Sequence, residues 1–390
     1  MRKSSSGGAE VAVVGGGVAG LAAARELARR GLKVVVVEAA PACGAGASGA
    51  AAGMLAPQAE ADRADELFGL LCASREMYPD FAAALLEETG VDVELDRTGT
   101  LYLAFSGHDE AEAARRFEWQ TRAGLAVERL TAREARGLEP NVSPRVRSAL
   151  RFPRDWQVEN RRLVRALRAS AERFGARVLE GVGAAGVLVE GGRAAGVETA
   201  GGTVRAGAVV LAAGAWSSLL KGAAADGPGV EPVRGQVLCF RPDDSQAPFV
   251  RYVVYSPRGY VVPRRDGRLL AGATTERAGF DCRVTAEGVA AVRAQAEEIA
   301  PGVAALALSD SWAGLRPRAA DGLPVIGESQ EARGLFYATG YYRNGILLAP
   351  AAGELVADLV TARTTRLPPG ALSAFSPARF PAALAGSSAG

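Results

Sequence analysis

Three glycines and one acidic residue near the N-terminus have the spacing of a nucleotide-binding turn. Gly15, Gly17 and Gly20 follow the pattern G-x-G-x-x-G, and Glu38 lies further along the chain. In such a turn the first glycine permits a tight bend, the second lets a pyrophosphate approach the backbone, and the third allows a helix to pack closely on a strand. Glu38 can accept a hydrogen bond from a ribose 2′-hydroxyl, whereas it would repel a 2′-phosphate. The pattern therefore predicts a dinucleotide site.

The segments around these residues are those that a βαβ unit requires. Residues 11–14 and 33–37 are apolar runs that are compatible with buried parallel strands, and residues 18–30 are rich in alanine and leucine, as in a helix. The start of such a helix presents free N–H groups and a partial positive charge to phosphates. A glycine-rich turn in some other α/β protein, or a signal peptide, is the alternative interpretation. A signal peptide has no need for three glycines at this spacing.

The composition excludes several classes of protein. The chain has 390 residues, 48% of them hydrophobic, and a formal net charge of +2, so nothing indicates nucleic acid as a partner. It has no continuous apolar run of about 18 residues, and we expect no membrane partner. Its four cysteines are scattered, which favours reduced thiols in a cytoplasmic protein and no metal site. The single histidine, His108, lies in a polar segment, and we interpret it as a surface residue.

The rest of the pattern predicts a mixed α/β protein with a second, antiparallel sheet. Residues 208–213 form a third apolar run, which is typical of a central buried strand. Between about residues 230 and 315, short strands and a single helix indicate an antiparallel sheet inserted into the α/β domain. Residues 61–89 have a helical pattern, with a break predicted at Pro79.

Three further segments are more specific than the glycine pattern alone. They are the small-residue loop S-G-A-A-A-G-M-L at 48–55, W-A-G-L-R-P at 312–317 and Y-R-N-G-I-L-L-A-P at 342–350. Together with the N-terminal turn they resemble the glycine oxidases of the D-amino acid oxidase group of flavoenzymes. The resemblance extends from about residue 9 to residue 367 and implies a fold of glutathione-reductase type.

The resemblance leads us to divide the chain into two domains and two tails. We predict a discontinuous Rossmann-like FAD-binding domain and a substrate-binding domain built on the antiparallel sheet with flanking helices. The predicted bounds are 9–90, 150–229 and 319–366 for the first domain, 91–149 and 230–318 for the second, and 1–8 and 381–390 for flexible tails.

The resemblance implies FAD as the cofactor. Because no cysteine follows Cys282, we expect the FAD to be bound non-covalently. Glu38 would bind the adenosine ribose, Ala184 would lie near the adenine, and the small-residue loop would follow the flavin. The start of the helix after Asn344 would direct N–H groups at the pyrimidine edge of the flavin. The complete implied set of cofactor residues is Gly15, Gly17, Val18, Ala19, Gly20, Glu38, Ala39, Ala47, Ser48, Ala52, Gly53, Met54, Ala184, Tyr341, Tyr342, Arg343, Asn344, Gly345, Ile346 and Leu347.

The resemblance also implies a substrate site for an amino acid. Arg316 and Arg343 match the arginines that bind the substrate carboxylate, a task that suits the planar guanidinium group. Tyr260 matches a tyrosine that hydrogen-bonds the substrate, and Met54 is placed beside them. Surface ion pairs for the arginines and core packing for the tyrosine are the alternative interpretations.

The implied reaction is oxidative deamination of glycine or of another small amine, such as sarcosine or a D-amino acid. Hydride would leave the substrate Cα for the flavin and dioxygen would become hydrogen peroxide, with no side-chain acid or base required. The resemblance further implies a homotetramer and a role in thiamine biosynthesis. Tyr341 and Arg258 stand at the predicted pocket edge where relatives carry histidine, which leaves the preferred amine open.

Two alternatives to an oxidase remain at this point. One is a dehydrogenase of the same fold, acting on glycine or a D-amino acid, that passes electrons to an acceptor other than oxygen. The other is a flavin-bound scaffold or sensor without turnover, against which the two motif arginines argue.

Overall fold

The computed structural model describes residues 8–222, 227–241, 248–367 and 370–380. The tails predicted at 1–8 and 381–390 lie outside the described residues, apart from Gly8. The strands of the described chain are β1 (Ala9–Val14), β2 (Val34–Val37), β3 (Met54–Leu55), β4 (Thr100–Ala104), β5 (Glu128–Thr131), β6 (Ser148–Phe152), β7 (Trp156–Gln157), β8 (Arg177–Leu179), β9 (Ala184–Glu190), β10 (Arg193–Thr199), β11 (Gly202–Leu211), β12 (Glu231–Arg241), β13 (Val253–Tyr255), β14 (Tyr260–Pro263), β15 (Leu269–Gly272), β16 (Ala307–Arg318), β17 (Val325–Glu328) and β18 (Leu335–Thr339).

The helices vary from single turns to one of 24 residues. They are α1 (Val18–Arg29), α2 (Ala47–Ala50), α3 (Pro57–Glu60), α4 (Glu66–Thr89), α5 (Gly107–Arg122), α6 (Ala132–Leu138), α7 (Asn160–Arg173), α8 (Ala286–Ile299), α9 (Gly345–Val360) and α10 (Gly370–Ala374), with short 3-10 turns at Gly214–Leu219, Pro301–Ala305 and Pro377–Arg379. In the part of the chain that the structure describes, no helix combines the length and hydrophobicity needed to cross a membrane.

The first sheet has the mostly parallel topology that the apolar runs predict. Its strand order is β17-β18-β11-β1-β2-β8, with β10 and β9 added alongside β11. β1 pairs in parallel with both β2 and β11, so the three predicted apolar runs are neighbours at the centre of the sheet. β1, β2 and β11 are almost entirely buried where they pair, because layers cover both of their faces. The predicted α/β class is therefore confirmed.

Three helices, α1, α7 and α9, cover one face of this sheet, and α4 packs on two of them and shares their core. α1 packs against α7 and α9, and α4 packs against α7 and α9. The break predicted at Pro79 is wrong, because α4 is one helix from Glu66 to Thr89. Tyr78, beside the proline, is fully buried and donates its hydroxyl hydrogen to the Ile346 carbonyl. The anchoring of α4 on α9 outweighs the local cost of the proline.

The second sheet is mainly antiparallel and forms the other half of the molecule. Its order is β16-β12-β15-β14-β13-β4-β6-β5, and α8 packs on β12, β14 and β15. The strands of the second sheet lie within residues 91–149 and 230–318, with one exception. The exception is β6, which extends to Phe152. We therefore propose that the domain boundary predicted at residue 150 lies after residue 152. His108 is exposed in the first turn of α5.

Candidate active site

The glycine-rich turn joins β1 to α1 with little free space. Gly15 has a φ of 110°, and a Cβ at this position would lie 2.4 Å from the Ala212 carbonyl oxygen. A Cβ on Gly20 would lie 2.0 Å from the Gly15 carbonyl oxygen. Neither position accepts a side chain without moving the backbone. Gly20 therefore has the packing role that the spacing predicts and does not contact the cavity described below.

The N-terminus of α1 is open to a ligand. Its N-cap residue is Gly17, which offers no side chain to the first turn. The Val18 N–H donates to Ser48 Oγ at 2.9 Å, and Ser48 comes from the small-residue loop that lies over the helix start. Free N–H groups and the helix dipole make such a helix start favourable for phosphate.

Glu38 is fixed beside this turn at the end of β2. Its carboxylate accepts hydrogen bonds from the Gly16 N–H at 2.6 Å and from the Ala40 N–H at 2.7 Å. A carboxylate has acceptor sites beyond these two, so Glu38 can also accept from a ribose hydroxyl. Ala39 and Ala184 line the same cavity as Glu38.

The small-residue loop forms a flat wall because its neighbours approach it closely. Gly53 has a φ of 72°, and a Cβ there would lie 2.0 Å from the Val158 carbonyl oxygen. A Cβ on Gly314 of β16 would lie 2.5 Å from the Ala50 Cβ. The Trp312 indole N–H donates to the Ala50 carbonyl at 3.0 Å and holds the loop against the second sheet.

A buried arginine supports this loop from behind. Arg264 is 4% exposed, and its guanidinium donates to the Ala52 carbonyl at 2.8 Å and to the Val158 carbonyl at 2.9 Å. It also donates to Gln157 Oε1 and Asn160 Oδ1, and no described acid lies within ion-pair distance. Burial lowers the pKa of Arg264 to about 10, so the group stays charged at neutral pH.

The start of α9 closes the other side of the cavity. Tyr342 has a φ of 47° and its N–H donates to the Pro317 carbonyl at 2.7 Å. Asn344 is the N-cap residue of α9, and no side chain caps the first turn. Tyr341 is 4% exposed, burial raises its pKa, and its hydroxyl has no partner within the described residues. An uncapped helix start and a buried unpaired hydroxyl both favour a polar ligand here.

These elements enclose a cavity of about 560 Å³ between the two sheets. Every residue that the sequence places at the cofactor or the substrate lines this cavity, with Gly20 as the exception. These lining residues are Gly15, Gly17, Val18, Ala19, Glu38, Ala39, Ala47, Ser48, Ala52, Gly53, Met54, Ala184, Tyr260, Arg316, Tyr341, Tyr342, Arg343, Asn344, Gly345, Ile346 and Leu347.

Arg316 is held in place by backbone carbonyls. Its Nη1 donates to the Thr274 carbonyl at 3.0 Å and to the Arg234 carbonyl at 3.4 Å. A Cβ on Gly235 would lie 2.2 Å from Arg316 Nη2, so the guanidinium lies directly on this glycine. Burial lowers the pKa of Arg316, and the positive charge of Arg343 lowers it further. Because the carbonyls occupy only part of the guanidinium, donors remain for a carboxylate.

Tyr260 lies beside Arg316 and is 6% exposed. A Cβ on Gly272 would lie 2.5 Å from the Tyr260 hydroxyl, so the strand opposite must carry glycine to make room for the phenol. Burial raises the pKa of Tyr260. The phenol is therefore protonated at neutral pH and can donate a hydrogen bond to a ligand in the cavity.

Arg343 is the freer of the two arginines. Its side chain is 32% exposed, and its ion pair is with Glu60, at 3.8 Å between Nε and Oε2. Within the described residues its guanidinium makes no hydrogen bond. The negative charge of Glu60 raises the pKa of Arg343. Arg343 therefore directs a full charge and unused donors into the cavity.

Arg258 does not have the position predicted for it. Its guanidinium pairs with Asp109 at 3.1 Å and with Glu298 at 2.6 Å, and it does not line the cavity. The two acids, on α5 and α8, bind the guanidinium between these helices, away from the cavity. The prediction of a pocket-edge arginine is wrong, while Tyr341 does line the cavity.

Sequence reasoning missed three residues that shape this site: Glu60, Arg264 and Gly235. Glu60 carries one signal, because it is the first charged residue after Glu38. Residues 39–59 carry no charged side chain, which is typical of a buried loop. The acid that follows such a loop is therefore a candidate for the wall of a site. Arg264 and Gly235 belong to no motif, and their roles depend on contacts with distant parts of the chain.

The walls of the cavity fit FAD. The start of α1, where the N-cap residue Gly17 has no side chain, suits the pyrophosphate. Glu38 suits a ribose, and the small-residue loop leaves room for a flat ring system. The uncapped start of α9 suits the electron-rich edge of that ring. Fold and cavity together define a dinucleotide-binding oxidoreductase of the flavoprotein class.

Comparison with known proteins gives the family. A family model for FAD-dependent oxidoreductases matches residues 10–359. Glycine oxidase of Geobacillus kaustophilus is 38% identical over 358 residues, which are 91% of this chain and 94% of that protein. The crystal structure of glycine oxidase from G. kaustophilus has a TM-score of 0.89 and 37% identity, with 94% of this chain and 98% of that chain covered.

Two further relatives have other names. The bifunctional protein ThiO/ThiG of Trichormus variabilis is 35% identical over 357 residues, which are 90% of this chain and 52% of that protein. The structure of L-proline dehydrogenase from P. horikoshii has a TM-score of 0.84 and 27% identity, with 96% of this chain and 98% of that chain covered. This chain belongs to the family of FAD-dependent oxidoreductases that contains the glycine oxidases, and FAD is its cofactor.

Proposed function

We propose that this protein is an FAD-dependent oxidase that deaminates glycine and other small amines, including sarcosine and D-amino acids, with formation of hydrogen peroxide. One observation carries the proposal. Arg316, Arg343 and Tyr260 all line one cavity whose other walls fit FAD. Two guanidinium groups and a phenol together suit the carboxylate of an amino acid. The likeness to the glycine oxidases supports the same conclusion.

The protein residues act by positioning and by charge. Arg316 and Arg343 bind the substrate carboxylate, and Tyr260 donates a hydrogen bond to the same end of the substrate. Bound FAD supplies the acceptor for the electron pair of the substrate Cα–H bond. The carboxylate contacts hold Cα in one orientation, which replaces a random encounter by a fixed geometry. The imine that leaves is hydrolysed to the 2-oxo acid, and no side-chain acid or base is needed.

A dehydrogenase that uses an acceptor other than oxygen is the second candidate. The likeness to L-proline dehydrogenase at 27% identity supports it. The two candidates share the substrate site and differ in what reoxidises the cofactor.

A panel of amines separates the candidates. The purified holoenzyme is mixed with glycine, sarcosine, D-alanine or D-proline, and oxygen uptake and peroxide are measured. We expect stoichiometric oxygen uptake and peroxide with glycine and sarcosine. Turnover with an artificial dye acceptor but without oxygen uptake would favour the dehydrogenase, and no turnover with any amine would exclude both.

Assembly, location and pathway belong to the same proposal. We propose a homotetramer, non-covalent FAD and a role in thiamine biosynthesis from the likeness to the glycine oxidases and to ThiO/ThiG. A cytoplasmic location is supported by the four cysteines, Cys43, Cys72, Cys239 and Cys282, which are all free thiols. Size-exclusion chromatography with light scattering tests the assembly, and release of FAD by acid precipitation tests the absence of a covalent link.

A further inference from the structure

A carboxylate lies beside Arg343, one of the two substrate arginines, and the proposed reaction gives it no role. Glu60 is the last residue of α3 and lines the cavity together with Met54, Tyr260 and Arg343. Its Oε2 is 3.8 Å from Arg343 Nε, which is an ion pair without a hydrogen bond. Within the described part of the chain, the Glu60 carboxylate accepts no hydrogen bond. Its oxygens are therefore available to a ligand.

The position of Glu60 is built into the fold. Asp155, which is fully buried, accepts hydrogen bonds from the Ala59 N–H at 2.7 Å and from the Gln58 N–H at 3.3 Å. Arg116 donates to the Ala59 carbonyl at 3.0 Å and also to the Ala61 carbonyl. These bonds hold the backbone on both sides of Glu60, so its carboxylate is directed into the cavity by buried contacts.

Glu60 opposes the binding of a plain carboxylate. A carboxylate ligand is attracted by Arg316 and Arg343, but Glu60 repels it and already pairs with Arg343. An α-amino acid carries an ammonium group next to its carboxylate, and this group meets a favourable partner in Glu60. The phenols of Tyr260 and Tyr342 also line the cavity, and Tyr255 stacks on Tyr260. Burial raises the pKa values of Tyr255 and Tyr260, so these two phenols add no charge at neutral pH.

We propose that Glu60 binds the ammonium end of the substrate while Arg343 and Arg316 bind its carboxylate, and that Glu60 thereby selects amine-bearing acids over plain carboxylates. The inference rests on the proposed function, because it assigns a second pole to the same substrate site. The ammonium loses its proton to water before Cα is oxidised, so the Glu60 carboxylate keeps its charge and no side-chain base takes part. Glu60 is thus a specificity residue that contacts the substrate.

The test compares glycine with acetate, which has the carboxylate and lacks the amine. In the Glu60→Gln holoenzyme we expect the KM for glycine to rise about tenfold, because the ammonium loses a charged partner. We expect acetate to bind several-fold more tightly, measured as the Kd from the change in flavin absorbance, because its repulsion is removed. The proposal therefore predicts weaker binding of glycine and tighter binding of acetate in the same variant.

The controls separate selection from general damage. Glu87→Gln makes the same chemical change at an exposed position on α4 and should leave both constants unchanged. If Glu60→Gln does not retain FAD, Glu60→Asp keeps the charge on a shorter side chain, and it should raise the KM for glycine while acetate still binds weakly. Equal weakening of both ligands, or tighter acetate with an unchanged KM for glycine, would overturn the proposal.

A failure of the proposed function has a different signature. If glycine does not reduce the flavin of the wild-type holoenzyme, the proposed function is wrong whatever the variants do. The acetate measurement needs no turnover, and it still reports whether Glu60 repels a carboxylate in the cavity.

Discussion

At the scale of single residues, the two arginines of the cavity are held in different ways. Arg316 is bound to two carbonyls and lies on Gly235, whereas Arg343 has a loose ion pair and free donors. A donor that makes no hydrogen bond inside the protein breaks no existing bond when it binds a ligand. Arg343 is therefore the arginine from which we expect the larger share of substrate binding.

Replacement of Arg343 tests this assignment. Arg343→Ala should lower kcat/KM for glycine by about 30-fold or more, because a charged, hydrogen-bonded contact contributes about 2 kcal/mol or more. The matched control is Arg258→Ala, which removes an arginine paired outside the cavity and should stay within about threefold of wild type. Steady-state kinetics with glycine decide the matter. Equal effects of the two replacements would contradict the role of Arg343.

Gly235 offers a test of Arg316 that leaves the arginine in place. A Cβ in Gly235→Ala would lie 2.2 Å from Arg316 Nη2 and should displace the guanidinium. We expect the KM for glycine to rise about tenfold, with a smaller change in kcat, since overpacking typically costs about 1–3 kcal/mol. Gly69→Ala is the control, because nothing lies within 4 Å of its added Cβ and it should be neutral or slightly stabilising. An unchanged KM in Gly235→Ala would mean that Arg316 does not bind substrate.

At the scale of elements, the cavity depends on a loop that is supported from outside. The small-residue loop has few side chains that can anchor it beyond Ser48, so Arg264 and Trp312 hold two of its carbonyl oxygens. A guanidinium with five donors can satisfy several carbonyls at once. Burial of the Arg264 charge lowers stability, and the hydrogen bonds that hold the loop in one conformation offset this cost.

The support that Arg264 gives to the small-residue loop predicts that two adjacent arginines differ in their effect on stability. Arg264→Ala leaves the Ala52 and Val158 carbonyls unpaired, and we expect the free energy of unfolding to fall by about 3 kcal/mol and FAD to dissociate faster. Arg265→Ala removes a side chain that is 54% exposed and should change stability by no more than about 0.5 kcal/mol. Urea unfolding of the two variants and their FAD release rates measure this. Similar free energies of unfolding and similar FAD release rates for the two variants would show that Arg264 does not support the loop.

The sequence predicts the elements that depend on local patterns and does not predict the contacts between distant parts of the chain. β1, α1 and β2 follow each other within 29 residues, from Ala9 to Val37, and their apolar periodicity and glycine spacing are local signals. β16 pairs with β12 across a separation of many residues, and its sequence includes charged and small residues that do not alternate simply. Pro79 gave a local signal that tertiary packing overrides. Glu60 and Arg264 act on partners far along the chain, which no local pattern reports.

At the scale of the whole molecule, the two sheets enclose the cavity and separate ion pairs join the surrounding helices. Asp109 on α5 is 2% exposed and pairs with Arg258, which also pairs with Glu298 on α8. Burial raises the pKa of Asp109, but hydrogen bonds from Arg258 and the Phe105 N–H outweigh this and lower it to about 2. The ionised carboxylate therefore stabilises the folded state.

This pair gives stability a defined dependence on pH. Because the folded pKa of Asp109 lies below its unfolded value near 4, the stabilisation is complete above about pH 4 and is lost as the pH falls towards 2. Asp109→Asn should be about 2 kcal/mol less stable than wild type at pH 7, with a gap that narrows at pH 3. Glu118→Gln, on the exposed face of the same helix, should show no such gap. Urea unfolding at both pH values measures this, and a gap that widens at acid pH would contradict it.

We propose that one cavity holds FAD and a small amino acid, with the carboxylate of the substrate on Arg343 and Arg316. Anaerobic addition of glycine to the purified holoenzyme tests it most directly. We predict that the yellow absorbance of the oxidised flavin bleaches at saturating glycine in wild type, and that Arg343→Ala needs far more glycine to bleach. Absorbance that persists in wild type with glycine, sarcosine and D-alanine alike would contradict the claim.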